Sequence, residues 1–149
     1  MDWAALNEAP TQAEAFATAS AKRTTEAEES RLASAYESAL RNAANGDRAS
    51  AIDALRRVLT HPMTNARDLS ARLTRVKFLA LKNLGRFLED ETLKKGTEGE
   101  NAAADADSDE ALRCYAAAVE IDDEDAMLWR RLGSAATRRG EFSVARMAY

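Results

Sequence analysis

Trp129-Arg130-Arg131-Leu132-Gly133, followed by Gly140-Glu141-Phe142, Ala145 and Tyr149, is the stretch whose reading decides the fold. Its large residues recur at three- and four-residue steps, the spacing of one helical face. Arg139-Gly140 ends that helix, and a second one starts at Phe142. Gly133 lets two helices approach closely, Gly140 makes the turn between them, and Ala145 lies where the backbones nearly touch. The aromatic residues fill the wider gaps.

This spacing resembles the tetratricopeptide repeat, a helical hairpin of about 34 residues. That pattern has a large residue at its fourth position, Leu-Gly at the seventh and eighth, and Gly at the fifteenth. An aromatic, an alanine and another aromatic follow at the seventeenth, twentieth and twenty-fourth. Trp129, Leu132, Gly133, Gly140, Phe142, Ala145 and Tyr149 fill all seven. One repeat earlier, Leu81, Leu84, Gly85 and Leu88 take the first-helix positions, and Ala111, Tyr115 and Ala118 take those of the second helix. An insertion separates the two halves. The earliest repeat is degenerate: Gly46, Ala51 and Leu55 fit, while Ala35 and Ser38 replace the large residues.

The resemblance implies an all-α fold, a short solenoid of tetratricopeptide hairpins with an acidic disordered loop inserted in one repeat. The expected organisation is a leader over 1–24, partly disordered or marginally helical. A degenerate hairpin follows over 25–65, then a second over 66–125 with the inserted loop at 91–108, and a truncated third over 126–149.

Local signals place the helices. Thr11-Gln12-Ala13-Glu14 reads as a capping box opening a marginal helix to about residue 22, and Thr25-Glu26-Ala27-Glu28 as a second box opening a better one. Leu32, Tyr36, Ala39 and Leu40 give that helix its apolar face. Asn45-Gly46-Asp47 ends it, with Gly46 in a left-handed cap and Asp47 starting the next. Helices are expected over about 48–60, 66–90, 109–121 and 125–139. Residues 91–108 hold almost nothing that burial could stabilise, so a mobile loop is expected there. The sequence stops at Tyr149 within a helical pattern, which reads as a piece of a longer protein.

Composition narrows the chemistry. Hydrophobic residues make up 46% of the 149 residues, much of it alanine, and glycine and proline are too few for an all-β chain. The formal charge of −4 disfavours direct binding of nucleic acid, which calls for a basic patch. One cysteine, Cys114, excludes an intrachain disulfide and reads as a reducing compartment. No apolar stretch approaches the roughly 20 residues that span a bilayer.

Catalysis is not expected. One histidine and one cysteine at unrelated positions supply neither a metal site nor a nucleophilic triad. His61 precedes Pro62 at a helix end, and Cys114 reads as core. Gly96 and Gly99 sit in charged sequence and make no phosphate loop. Asp105-Ala106-Asp107-Ser108-Asp109 imitates the start of a calcium loop, but Glu110 and Ala116 stand where Gly and Glu are required. No cofactor, metal or small-molecule substrate is expected.

A more specific resemblance lies in Ala4-Ala5-Leu6-Asn7, Val58-Leu59-Thr60-His61-Pro62, Phe78-Leu79-Ala80-Leu81-Lys82-Asn83-Leu84 and the run Ala111 to Asp122. With Trp129-Arg130-Arg131-Leu132-Gly133 these look like the N-terminal region of the cabin-like calcineurin-binding proteins of plants and green algae. That family is the large helical-repeat subunit of the HIR (HIRA) histone chaperone complex. The resemblance implies a nuclear scaffold in replication-independent nucleosome assembly and transcriptional regulation. Its partners would be other complex subunits, with histones reached through them. The calcineurin-binding segment of the animal protein lies outside this region, so that activity is not carried over.

The candidate site is the groove lined by the first helix of each hairpin. Lys82, Asn83, Arg86, Arg130, Arg131, Ser134 and Arg138 face or border it, and its cations would suit an acidic or C-terminal peptide. The alternative function is a co-chaperone-like module that clamps chaperone C-termini. Such a clamp has Asn at the ninth position of a repeat, where this chain has Leu40, Arg86 and Ser134.

Overall fold

The computed structural model describes residues 9–96 and 101–149. Every regular element among them is helical: α1 Gln12–Ala44, α2 Arg48–Thr60, α3 Ala71–Lys95, α4 Asn101–Ile121, α5 Ala126–Arg138 and α6 Phe142–Ala148. They pair as α1–α2, α3–α4 and α5–α6, and successive pairs meet where α2 packs on α3 and α4 on α5. The protein is all-α.

Helix ends follow from local chemistry. Thr11 Oγ1 accepts the Glu14 amide at 3.2 Å while the Glu14 carboxylate accepts the Thr11 amide at 2.7 Å, which is the first capping box. The second does not form. The Thr24 and Thr25 hydroxyls donate to the Ser20 and Ala21 carbonyls at 3.1 and 3.0 Å, inside one continuous helix. No Gly or Pro interrupts Gln12–Ala44, so nothing stops propagation across 22–25 and the expected break is corrected. Gly46 (φ 88°) and Gly140 (φ 74°) take the left-handed conformation that ends α1 and α5. Asp47 caps α2 through the Ser50 amide at 3.1 Å.

The helix expected from about residue 66 begins instead at Ala71, capped by Ser70. A 3-10 turn over Pro62–Asn65 fills the gap, because the end of α2 needs it. Thr64, fully buried, donates to the Val58 carbonyl at 2.8 Å, and Asn65 donates to the Leu59 carbonyl at 2.8 Å. The Leu59 carbonyl thereby gains a donor, and the Val58 carbonyl a second, shorter one beside the His61 amide at 3.4 Å.

The expected loop over 91–108 is also corrected, apart from 97–100, which lie outside the described residues. α3 runs on to Lys95 and α4 is already helical from Asn101. Alanine is the best helix former, and the acids of this segment find bases on neighbouring helices. Lys95 holds Asp107 at 2.8 Å, Arg139 lies 3.1 Å from Asp105 and 2.7 Å from Asp109, and Arg56 holds Glu110 at 2.6 Å. Reading burial from apolar content alone missed these ties.

The core runs through all three pairs, with Leu55, Leu84, Leu88, Tyr115 and Leu128 among its largest fully enclosed side chains. Tyr115 lies against Gly85, where an added Cβ would meet its Cε1 at 2.7 Å. Gly133 stands in the same relation to Tyr149, at 2.9 Å from its Cζ. Leu81, Leu132 and Ala145 are buried. Phe142 and Tyr149, expected in the core, are 71% and 77% exposed, and Trp129 is only partly buried. Among the described residues α6 packs chiefly on α5, and its outer side is uncovered.

The two glycines differ in what their neighbours can do. Tyr115 is fully enclosed and cannot retreat, whereas Tyr149 can swing into solvent. Gly85→Ala is therefore expected to lower stability by about 1–2 kcal/mol, overpacking outweighing the gain in helix propensity. Gly133→Ala should leave stability little changed. Urea midpoints of the two variants, measured side by side, check the contrast.

Candidate protein-binding groove

The seven groove residues sit on α3 and α5, and the structure gives them unequal roles. Asn83 turns away: its Nδ2 donates to the Tyr36 hydroxyl at 3.0 Å and to the Leu79 carbonyl at 2.9 Å, tying α3 to α1. Lys82 lies over the Phe78 ring, 5.7 Å from its centroid, and its ammonium is taken by Asp125. Asp125 in turn caps α5 by accepting the Leu128 amide at 3.0 Å. The carboxylate thus joins the start of α5 to the middle of α3. The Lys82 hydrogen bond, then the Leu128 amide, hold its pKa below the ordinary 3.8.

Glu89 is the residue that sequence reasoning undervalued. Its side chain is only 11% exposed and accepts from three donors on two helices. Tyr115 donates its hydroxyl from α4, Arg131 from α5 lies 3.3 Å away, and Arg138 from α5 closes the set. Burial, and then the hydrogen bond to Glu89, push the Tyr115 phenol well above its ordinary value, so it stays protonated and donates. Glu89 lies one helical turn beyond Gly85, beside the ring that the glycine admits. An acid at that spacing, next to an enclosed tyrosine, was the available signal.

Three of the five cations expected to face or border the groove are thus engaged within the chain. Lys82 serves Asp125, and Arg131 and Arg138 serve Glu89. Arg86 is exposed and rests on the Phe87 ring at 5.2 Å. Arg130 is exposed and lies with Ser134, Met127 and Asp90 around a cleft that Glu89 and Arg138 close. Among the described residues neither Arg86 nor Arg130 makes an ion pair. Lys82, Arg131 and Arg138 hold one helical pair to the next, whereas Arg86 and Arg130 tie no helices together through an ion pair among the described residues.

The other singled-out residues are structural in placement. Cys114 is buried, which pushes its thiol up to about 12 and leaves it without nucleophilic character near neutrality. His61 Nδ1 accepts the Met63 amide at 3.2 Å and its Nε2 lies 3.3 Å from Glu28, at the junction of α1 and α2.

This groove, helices α2 to α6 and the second half of α1 fall within residues 29–149, which match the family described as the CABIN1 N-terminal domain. The chain belongs to that family. It is also 30% identical over 130 residues to calcineurin-binding protein 1 of Arabidopsis thaliana, an alignment covering 83% of this chain. The chain spans about 6% of the length of that relative. No solved structure matches. The family match begins at Glu29, close to where α1 starts to touch the core. The preceding turns of α1, including the exposed Phe16, lie outside it.

Two outcomes follow from the geometry. Glu89→Ala strips Arg131, Arg138 and the buried Tyr115 hydroxyl of their shared acceptor, and should cost about 2 kcal/mol in a urea melt, less than a fully buried pair because both arginines are partly solvated. For Asp125, a pKa lowered on folding contributes stability above 3.8 that disappears as pH falls through the lower folded value. Asp125→Asn keeps the cap but not the ion pair. It should therefore lose less stability than the parent chain between pH 5 and pH 3, about the interval in which a carboxylate gains its proton.

Proposed function

We propose that this chain is a tetratricopeptide-type scaffold within a HIR/HIRA-type histone chaperone complex, acting in the nucleus in replication-independent nucleosome assembly. It binds other subunits, reaches histones through them and carries no catalytic activity. The family match over most of the chain carries the reading. The repeated close approach of glycine and tyrosine, Gly85 with Tyr115 and Gly133 with Tyr149, supports the repeat type. So does the matching placement of Gly46 and Gly140 at the turns.

The electrostatics favour this reading over a clamp for chaperone C-termini. A carboxylate clamp needs cations free to converge on one terminal carboxylate. Lys82, Arg131 and Arg138 are instead held by Asp125 and Glu89. A surface with neutralised charge and scattered apolar side chains suits broad contact with folded partners.

Affinity capture from nuclear extract with the full chain as bait, followed by mass spectrometry, tests the proposal. Enrichment of HIR-complex subunits over a bait carrying Arg86→Glu and Arg130→Glu is the expected result. Recovery of chaperones through their C-termini, with no HIR subunit, would sink it.

A further inference from the structure

Four hydroxyls of the chain follow an arginine by three residues: Ser34 after Arg31, Thr60 after Arg57, Ser70 after Arg67 and Ser134 after Arg131. A cation at that distance is what the acid-lined clefts of many protein kinases select, provided the backbone between the two can lie extended. As a string the four are equivalent, and the fold separates them.

Three are set in helices. Ser34 lies well inside α1, and Arg31 is paired with Glu28 at 3.1 Å. Ser134 is half-buried in α5, and Glu89 holds its arginine, Arg131. Thr60 is the last residue of α2, and its hydroxyl donates to the Arg56 and Arg57 carbonyls. Drawing any of these into an extended strand would break helical hydrogen bonds.

Ser70 differs on each count. Residues 66–70 are the longest non-helical stretch that joins two helices among the described residues. Both of its ends are already extended, with φ −67° and ψ 155° at Ala66, and φ −62° and ψ 157° at Ser70. Among the described residues the amides of Arg67, Asp68 and Leu69 donate to no backbone carbonyl. Arg67 and Ser70 are exposed, and Arg67 makes no ion pair among the described residues. Ser70 Oγ accepts the Leu73 amide at 3.1 Å, and its own proton is given to no acceptor among the described residues.

We propose that Ser70 is a phosphorylation site for an arginine-directed protein kinase. In the transfer, Ser70 Oγ attacks the γ-phosphorus of ATP and the bond to the β–γ bridging oxygen breaks. ADP departs, and the hydroxyl proton passes to the kinase's catalytic carboxylate. The fold accommodates the product. The phosphate brings close to two negative charges to a segment that holds Arg67 and is followed by the exposed Arg72. Asp68, and Asp122 at the same end of α3, oppose it. Arg72 now donates to Ser30 on α1 at 3.0 Å, so the phosphate competes with α1 for that guanidinium. The proposal stands apart from the complex assignment, because it rests on the segment between α2 and α3 and not on the groove.

The full chain, incubated with ATP and the constitutively active catalytic domain of calcium/calmodulin-dependent kinase II, tests it. Mass spectrometry at early times locates the phosphate. Ser70 is expected as the first and main site, and Arg67→Ala should slow incorporation there about tenfold, the worth of one charge-assisted contact. Ser70→Asn retains a capping side chain and should remove that incorporation. Both altered residues are exposed, and circular dichroism shows whether the helices persist. Phosphate on Ser34, Thr60 or Ser134 as fast as on Ser70, a rate indifferent to Arg67, or a folded chain that takes no phosphate overturns the proposal.

Discussion

The structure depends on the approach of α3 to α4 at Gly85, where the Tyr115 ring occupies the space a side chain would take. With so much alanine, large side chains are scarce, and each must be enclosed on all sides to stabilise the fold. Gly85 permits that enclosure, and the buried hydroxyl it brings inside then requires a partner. Glu89 is the partner, and a buried carboxylate requires cations. Arg131 and Arg138 on α5 supply them. A missing Cβ on one helix thus leads, through a chain of unmet needs, to the placement of the next helical pair.

The same logic explains why the groove is less basic than its composition. Cations facing a concave surface look available in one dimension. In three dimensions Lys82 lies beside the cap of α5 and Arg131 beside Glu89, and the charges are spent on joining helices. The acidic segment near the start of α4 shows the converse. Asp105, Asp107 and Asp109 look unburiable as a string, yet Lys95 and Arg139 hold them on a folded surface. Coulombic pairing across helices decided both cases, and it acts between residues that sequence distance separates.

Much of the fold was legible because its signals are local. Gly46 and Gly140 with their turns, the Thr11 cap, and the spacing of Leu81, Leu84 and Gly85 or of Leu132 and Gly133 each depend on a few adjacent residues. Boundaries failed where tertiary needs prevailed. The carbonyls ending α2 recruited Thr64 and Asn65 and delayed α3 to Ala71, and the unbroken run of helix formers carried α1 through Thr25. Glu89 was hidden because its role exists only once Tyr115, Arg131 and Arg138 are brought around it. Phe142 and Tyr149 were misplaced for the opposite reason: repeat spacing says which side chains a neighbour will cover, and no neighbour among these residues covers them.

Alanine-lined helices have shallow ridges, and two such surfaces can slide past each other at little cost. The carboxylates of Glu89 and Asp125 remove that freedom. A slip of one turn, about 5.4 Å along the axis, would leave Glu89 buried without its donors and Lys82 facing no acid. The ion pairs therefore act as indexing pins: smooth surfaces supply the cohesion, and a few charges select one alignment among several of nearly equal contact area.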